Sequence, residues 1–182
     1  MSNLFFAIYN LSFKFKYKFF KSKHYRLLLE KEEVLRQLLR KNPSWLRGHV
    51  KFGFLQIKLL ERANEKDPRR LAAIRVSAKA IKELFKGYQQ SNIELKKEFI
   101  EAEYLEAFYL FSKHQYQDAY NKLHSIISDQ KLVQVDQIVY FRILETYLLV
   151  AQALEKKQEA ELIFQKIPIK YRNSNINFFK KI

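Results

Sequence analysis

The sequence predicts an all-α fold, on three observations. Glycine and proline occur only three times each in 182 residues, whereas sheets joined by tight turns need more of both. Apolar residues recur at intervals of three and four along most of the chain, the period of an amphipathic helix. Hydrophobic residues make up 48% of the chain, enough to bury a sizeable core. We therefore expect antiparallel helical hairpins stacked on one another.

Residues 1–21 differ in composition from the rest of the chain. An apolar opening is followed by the run Phe13–Lys21, in which aromatic residues and lysines alternate. Alternation is typical of a strand, but there is no obvious sheet for one strand to join. Read as a helix, the segment places one apolar set on a single face, with lysines towards the sides, and we favour this interpretation. The set is Leu4, Ile8, Leu11, Phe15 and Phe19.

The helical period is clear from Tyr25 onward. The first amphipathic helix is expected to end near Lys41, because Asn42-Pro43-Ser44 suits a break and the first turn of a new helix. The next helix begins near Trp45 and stops before Asp67-Pro68. The helix after Pro68 carries its apolar residues on one face. They are Leu71, Ile74, Ala78, Ile81, Phe85 and Tyr88.

Four further helices are predicted, at roughly 92–113, 115–128, 133–155 and 158–167. Pro168 closes the last one, so the sequence divides into an N-terminal segment, 1–21, a helical domain, 22–168, and a tail, 169–182. Grouped in pairs, the helices that begin near Pro43, Asn92 and Asp136 each start a hairpin. Their spacing of about 45 residues indicates a structural repeat.

One predicted hairpin combines small and apolar residues of two helices, Ala107, Leu110, Tyr116, Ala119, Leu123 and Ile126. This hairpin resembles a tetratricopeptide repeat, in which a small residue on the first helix meets a small residue on the second. A second, degenerate copy consists of Leu148, Ala151, Ala160, Phe164, Ile167 and Pro168, and a third pairs Trp45, Leu46 and Gly48 with Ala78 and Ile81. The chain departs from the family where His114 replaces the expected turn glycine and where the spacing exceeds 34 residues.

The resemblance implies a superhelical scaffold whose first helices line a concave, peptide-binding face, and it implies no reaction. Transferred by pattern, the partner-binding residues would be Tyr104, Phe108, Phe111, Glu145, Leu149 and Gln152. Aromatic residues at such positions can anchor an apolar or helical peptide. The alternative is that these side chains only pack against the neighbouring hairpin.

The residues that carry most protein chemistry do not form a site in the sequence. There is no cysteine, and no two of His24, His49, His114 and His124 lie three or four residues apart, as a helical pair of histidine ligands would. Glu98, Glu101 and Glu106 could do acid–base work, but the lysines beside them favour an exposed charged face. We therefore predict a protein that is not an enzyme, with no cofactor, no metal site and no small-molecule substrate.

The net charge of +15 predicts an anionic partner. Residues 1–48 carry eleven lysines and arginines against three glutamates. A basic stripe, Arg75, Lys79, Lys82 and Lys86, recurs along one helix and suits phosphates or an acidic protein, although lysines on a solvated face would follow the same pattern. The N-terminal segment suits an anionic membrane surface or docking onto another protein, and its apolar residues could instead pack into the helical core. Its candidate contact residues are Phe5, Ile8, Lys14, Phe15, Lys16, Lys18 and Lys21.

The sequence thus favours a non-enzymatic scaffold that binds protein partners within a larger complex, with its N-terminus on a membrane surface or an assembly. The alternative function is an RNA-binding module that uses the basic stripes, and a nucleic-acid partner is the weaker prediction. No apolar run reaches the ~20 residues that a membrane-spanning helix needs. We expect a cytoplasmic location, with peripheral contact to the cytoplasmic face of a membrane.

Overall fold

The computed structural model describes residues 23–63, 67–87, 95–128 and 135–169. These residues form seven α-helices and no strand, so the predicted all-α hairpin stack is confirmed. The whole N-terminal segment, 1–21, and all of the tail except residue 169 lie outside the described residues, and so does every N-terminal contact residue named above. The helices are α1 at 23–41, α2 at Leu46–Ala63, α3 at Pro68–Gly87, α4 at Leu95–Ser112, α5 at Tyr116–Ser128, α6 at Gln137–Ala153 and α7 at Lys157–Lys166.

Each helix packs against the next one along the chain, and two further contacts join α2 to α4 and α4 to α6. The stack therefore consists of three hairpins, α2/α3, α4/α5 and α6/α7, with their first helices side by side in one row. A continuous apolar core runs through α2 to α7. A smaller cluster of Leu28, Leu55 and Leu59 joins α1 to α2.

Local signals in the sequence set the ends of α3. Asp67 caps the helix, because its Oδ1 accepts a hydrogen bond from the backbone N–H of Arg69 at 2.9 Å. Pro68 occupies the first helical position, where the missing N–H costs nothing. Gly87 is the last residue of the helix.

Small residues allow the hairpins to approach closely. A Cβ at Gly53 of α2 would lie 2.6 Å from Cδ1 of Leu105 on α4 and 3.3 Å from Cβ of Ser77 on α3. Ala107 and Ala119, the small pair of the middle hairpin, are both fully buried in the core. A side chain at Gly53 would force Leu105 to shift, and a larger side chain at Ala107 or Ala119 would have to displace its neighbours in the core.

The turns that follow α4 and α6 share one backbone hydrogen-bond pattern. In the first, the N–H of His114 donates to the carbonyl of Phe111 and the N–H of Gln115 donates to Leu110, both at 3.0 Å. In the second turn the corresponding bonds are Glu155 to Gln152 at 3.0 Å and Lys156 to Ala151 at 2.9 Å. Every partner is displaced by 41 residues (114 to 155), so two hairpins repeat the same C-terminal capping motif.

A polar cluster fastens α1 to the first hairpin. Glu32 of α1 accepts hydrogen bonds from Arg70 of α3 at 2.9 Å and from Gln56 of α2 at 3.1 Å. Burial raises the pKa of Glu32, but the hydrogen bonds from Arg70 and Gln56 outweigh it, so the net shift is below the ordinary value. The carboxylate is therefore held in its charged form between two helices.

Candidate docking surfaces

The residues expected to line a concave face fall into two groups. Tyr104 and Glu145 are buried. The other four side chains are half-buried, and they lie in the second halves of α4 and α6, on helices that contact each other. We call this second group the inner patch, and it consists of Phe108, Phe111, Leu149 and Gln152.

Tyr104 connects all three first helices of the hairpins. Its ring stacks on Phe54 of α2 with 5.7 Å between centroids, and its hydroxyl lies 3.2 Å from Oγ1 of Thr146 on α6. Burial raises the pKa of this hydroxyl well above its ordinary value. The buried Tyr104 side chain therefore packs between the first helices of the three hairpins.

Arg142 of α6 spans the row and binds Glu61 of α2. Both terminal guanidinium nitrogens donate to the carboxylate, with 2.9 Å between Nη2 and Oε2. The same guanidinium lies 3.7 Å from Oε2 of the buried Glu145. This fork-to-fork pair joins the first hairpin to the third across the row.

The inner patch is built from matching positions of the repeated hairpins. Phe108 corresponds to Leu149 and Phe111 to Gln152, by the same displacement that relates the two turns. Phe108 makes edge contacts with Tyr104 and with Phe111, each at 6.4 Å between ring centroids, so the aromatic side chains are fixed relative to one another. The two phenylalanine rings of the patch therefore pack against each other along α4.

Glu98 and Glu101 are not on the exposed charged face that the sequence favoured, because both are buried at the start of α4. Oε1 of Glu98 accepts a hydrogen bond from Arg47 at 3.0 Å, while its Oε2 is buried and has no hydrogen-bond partner among the described residues. Burial raises the pKa of Glu101 to about 7. The positive charge of Lys97 lowers this pKa, whereas the negative charge of Glu98 contributes to raising it. The spacing of charges along one helix could not predict this burial, because the burial depends on packing against helices from distant parts of the chain.

The basic stripe is partly neutralised. Lys82 binds both Glu103 and Glu106 of α4, and Lys122 of α5 binds the same two carboxylates. In the rest of the stripe, Lys86 pairs with Glu83 at 3.2 Å, Arg75 lies over the ring of Tyr109 at 5.4 Å, and Lys79 is exposed. The cluster around Lys82 therefore joins three helices and leaves a weaker anion-binding surface than the sequence suggests.

A second polar cluster, which the sequence did not indicate, ties α5, α6 and α7 together. Tyr120 and Tyr147 donate hydrogen bonds to the two carboxylate oxygens of Glu159, the former at 2.8 Å. Nδ1 of His124 lies 2.9 Å from the hydroxyl of Tyr147. Burial and the negative charge of Glu159 raise the pKa of Tyr147. Tyr120 and His124 lie four residues apart on α5, but Tyr147 and Glu159 come from α6 and α7, so no spacing motif in the sequence indicates the cluster.

An apolar groove lies between α1 and α2, and the sequence analysis did not predict it. Its floor is Leu27, Leu28, Val34, Leu35 and Leu55, and its rim is Glu30, Lys31, Lys51 and Lys58. The groove has a volume of about 620 Å³. Leu27, Val34 and Leu38 of α1 are 46%, 56% and 44% exposed, although the helical pattern places them on the helix's apolar face.

Two negative findings complete the description. Within the described ranges, no helix is both long and apolar enough to cross a bilayer, and no three side chains come together as a metal site would require. Comparisons of the chain with protein-family models, with curated proteins and with solved structures find no match.

Proposed function

We propose that the protein is a non-enzymatic scaffold that docks a protein partner on the inner patch of tetratricopeptide-like hairpins. Its basic N-terminus would contact an anionic membrane surface or a larger assembly. The observation that carries the proposal is the repeated hairpin, because the same capping motif recurs in both turns. Phe108 and Phe111 of α4 and Leu149 and Gln152 of α6 occupy equivalent positions of the two hairpins, and all four are half-buried on helices that contact each other.

The likeness to tetratricopeptide repeats is supported by three features. The first helices stand in one row, Ala107 and Ala119 are buried as a small pair, and each short turn ends its helix with one left-handed residue. The repeat is longer than that of the family, so we use the likeness for architecture only. In such arrays the row of first helices is the surface that receives a peptide.

The chemistry of the inner patch indicates an apolar or amphipathic segment as the partner. Two phenylalanine rings and a leucine supply apolar area, and preordered rings lose little conformational entropy on binding. The bridge from Arg142 to Glu61 crosses the row ahead of the patch. We therefore place the docking site at the second halves of α4 and α6 rather than along the whole row.

The scaffold role is tested by affinity capture from the source cells with wild type and two matched variants. Phe111→Ser with Leu149→Ser removes apolar area from the inner patch. Val76→Ser with Leu162→Ser removes exposed apolar area elsewhere, where these side chains are 64% and 62% exposed. We expect proteins captured by wild type to be lost with the first variant and kept with the second. Equal capture by both variants would exclude the inner patch as the docking site.

The role of the N-terminus is tested separately, by sedimentation with anionic and with neutral vesicles. Each lysine near an anionic leaflet contributes on the order of 1 kcal/mol. Replacing Lys14, Lys16, Lys18 and Lys21 by Gln should therefore abolish binding to anionic vesicles. A matched variant replaces Lys41, Lys79, Lys86 and Lys113, which are all exposed, by Gln, and it should still bind anionic vesicles. If wild type fails to bind either vesicle, membrane contact by this segment is excluded.

A further inference from the structure

The groove between α1 and α2 exposes an apolar helix face that no described residue covers. Leu27, Val34 and Leu38 lie along one side of α1, and they span about 16 Å at 1.5 Å per residue. Monomeric proteins rarely leave a continuous apolar strip of this length in water. We therefore expect a further chain segment or another molecule to cover this apolar strip.

The hairpin stack indicates what is missing. Every second helix of a hairpin packs against the first helix of the next one, as α3 packs on α4 and α5 on α6. Helix α1 packs on α2 in the same way, so it occupies the place of a second helix. The first helix of the hairpin to which α1 belongs would lie beside α2, over the groove.

The spacing of the first helices gives the position of the missing one in the sequence. They begin at residues 46, 95 and 137, at intervals of 49 (46 to 95) and 42 (95 to 137). The shorter interval, counted back from residue 46, reaches residue 4. Residues 4–21 are also 18 in number, as many as α2 and α4 each contain.

We propose that residues 4–21 complete a further hairpin with α1 and seat the face Leu4, Ile8, Leu11, Phe15 and Phe19 in this groove. The segment ends at residue 21 and α1 begins at residue 23 in the described chain, so the last residues of the segment would form the short loop that a helical hairpin needs. Its opposite face at helical spacing contains Phe6 and Phe13, and its lysines lie towards the sides. Those lysines remain available to an anionic surface, so the inference does not depend on the proposed scaffold function.

Charge gives the seating a distinctive salt dependence. The groove rim carries Lys31, Lys51 and Lys58, and its one acid, Glu30, pairs with Arg26 at 3.4 Å. The segment is basic as well, so the two surfaces repel each other at low ionic strength. Salt screens this repulsion, and seating is therefore tighter at about 0.5 M than at about 0.05 M salt. An acidic partner in the groove would show the reverse dependence.

Thiol labelling of the full chain tests the inference, because the sequence contains no cysteine. Val34→Cys places one thiol in the groove, and Val76→Cys places one at a comparably exposed site on α3. We expect a maleimide dye to label Val34→Cys at least about tenfold more slowly than Val76→Cys, the factor for ~1.4 kcal/mol of seating. Equal rates would overturn the inference.

Matched changes in the segment identify the occupant. Ile8→Asp with Phe15→Asp should restore rapid labelling of Val34→Cys, whereas Phe6→Asp with Phe13→Asp should leave it protected. Protection that survives the first pair, or that is lost on dilution as for a second copy, would contradict the proposal. Ala78→Cys, at a buried core position, should stay unlabelled in every background, and this verifies that the helical stack is folded.

Discussion

His114 and Glu155 adopt the same left-handed backbone conformation, with φ of 60° and 58°, at equivalent positions of two hairpins. Neither is glycine, although the left-handed position at the end of a helix usually is. The Cβ of an ordinary residue crowds the following carbonyl there, which costs roughly 1 kcal/mol. The chain therefore carries the same local strain twice.

Relief of this strain is the first prediction. We expect Glu155→Gly to raise the free energy of unfolding by about 1 kcal/mol relative to Glu155→Ala, measured by urea denaturation. Glycine within an exposed helix should have the opposite effect, so Lys79→Gly should lower it by about 1 kcal/mol. His114→Gly should raise the free energy of unfolding by less than Glu155→Gly does. The reason is that Nδ1 of His114 lies 2.6 Å from the hydroxyl of Tyr116, and glycine loses this contact. A loss of stability at Glu155 would contradict the conformation of the turn.

The close packing of α4 and α5 predicts a steric effect. Ala119 is fully buried, so Ala119→Leu should lower the free energy of unfolding by about 1–3 kcal/mol through overpacking. Ser125→Leu adds the same side chain to the exposed face of α5 and should change stability by less than ~0.5 kcal/mol. Thermal melting of both variants measures the difference. Equal melting temperatures would argue against the close helix contact.

The bridge between α2 and α6 should be far stronger than an exposed ion pair. Arg142→Met removes the guanidinium that binds Glu61 and lies 3.7 Å from the buried Glu145, and we expect a loss of about 2 kcal/mol. Arg26→Met removes the exposed pair with Glu30 and should cost less than ~0.5 kcal/mol. A double-mutant cycle with Glu61→Gln isolates the coupling. A coupling energy near zero would show that the pair contributes nothing net.

Glu101 predicts a pH dependence of stability. Because burial raises its pKa from 4.5 to about 7, the folded state binds more protons than the unfolded state between these pH values. The free energy of unfolding contributed by this group therefore falls as pH rises from about 4.5 to about 7. Its neighbours contribute in both directions: Lys97 and Arg47 favour the charged carboxylate, whereas Glu98 and Asp136 oppose it.

Replacing Glu101 by Gln removes that dependence. Relative to wild type, Glu101→Gln should be more stable by about 2 kcal/mol at pH 8, with a smaller difference at pH 5, in urea denaturation at both pH values. Glu30→Gln, at an exposed position, should show the same small difference at both. If the advantage of Glu101→Gln is equal at pH 5 and pH 8, the titration of Glu101 is not its cause.

The helices were predictable because their signals are local. The apolar period of α3, its aspartate cap and Gly87 all lie within the helix or beside it, and the predicted ends agree with the structure to within a few residues. What the sequence could not give depends on contacts between distant helices. The burial of Glu98 and Glu101 and the bridge from Arg142 to Glu61 depend on how the hairpins stack. The exposure of Val34 and Leu38 was not predictable either, because both residues follow the spacing of a core-facing helix face.

The bridge from Arg142 to Glu61 has a consequence for how the molecule comes apart. In an extended repeat array each unit touches only its neighbours, so the ends can unfold while the middle stays folded. Here the first and third hairpins hold each other directly, and Tyr104 joins all three from inside. Loss of either outer hairpin would break contacts to both others. Unfolding of α2 to α7 should therefore be a single cooperative event, and a short array of repeats behaves as one globular unit.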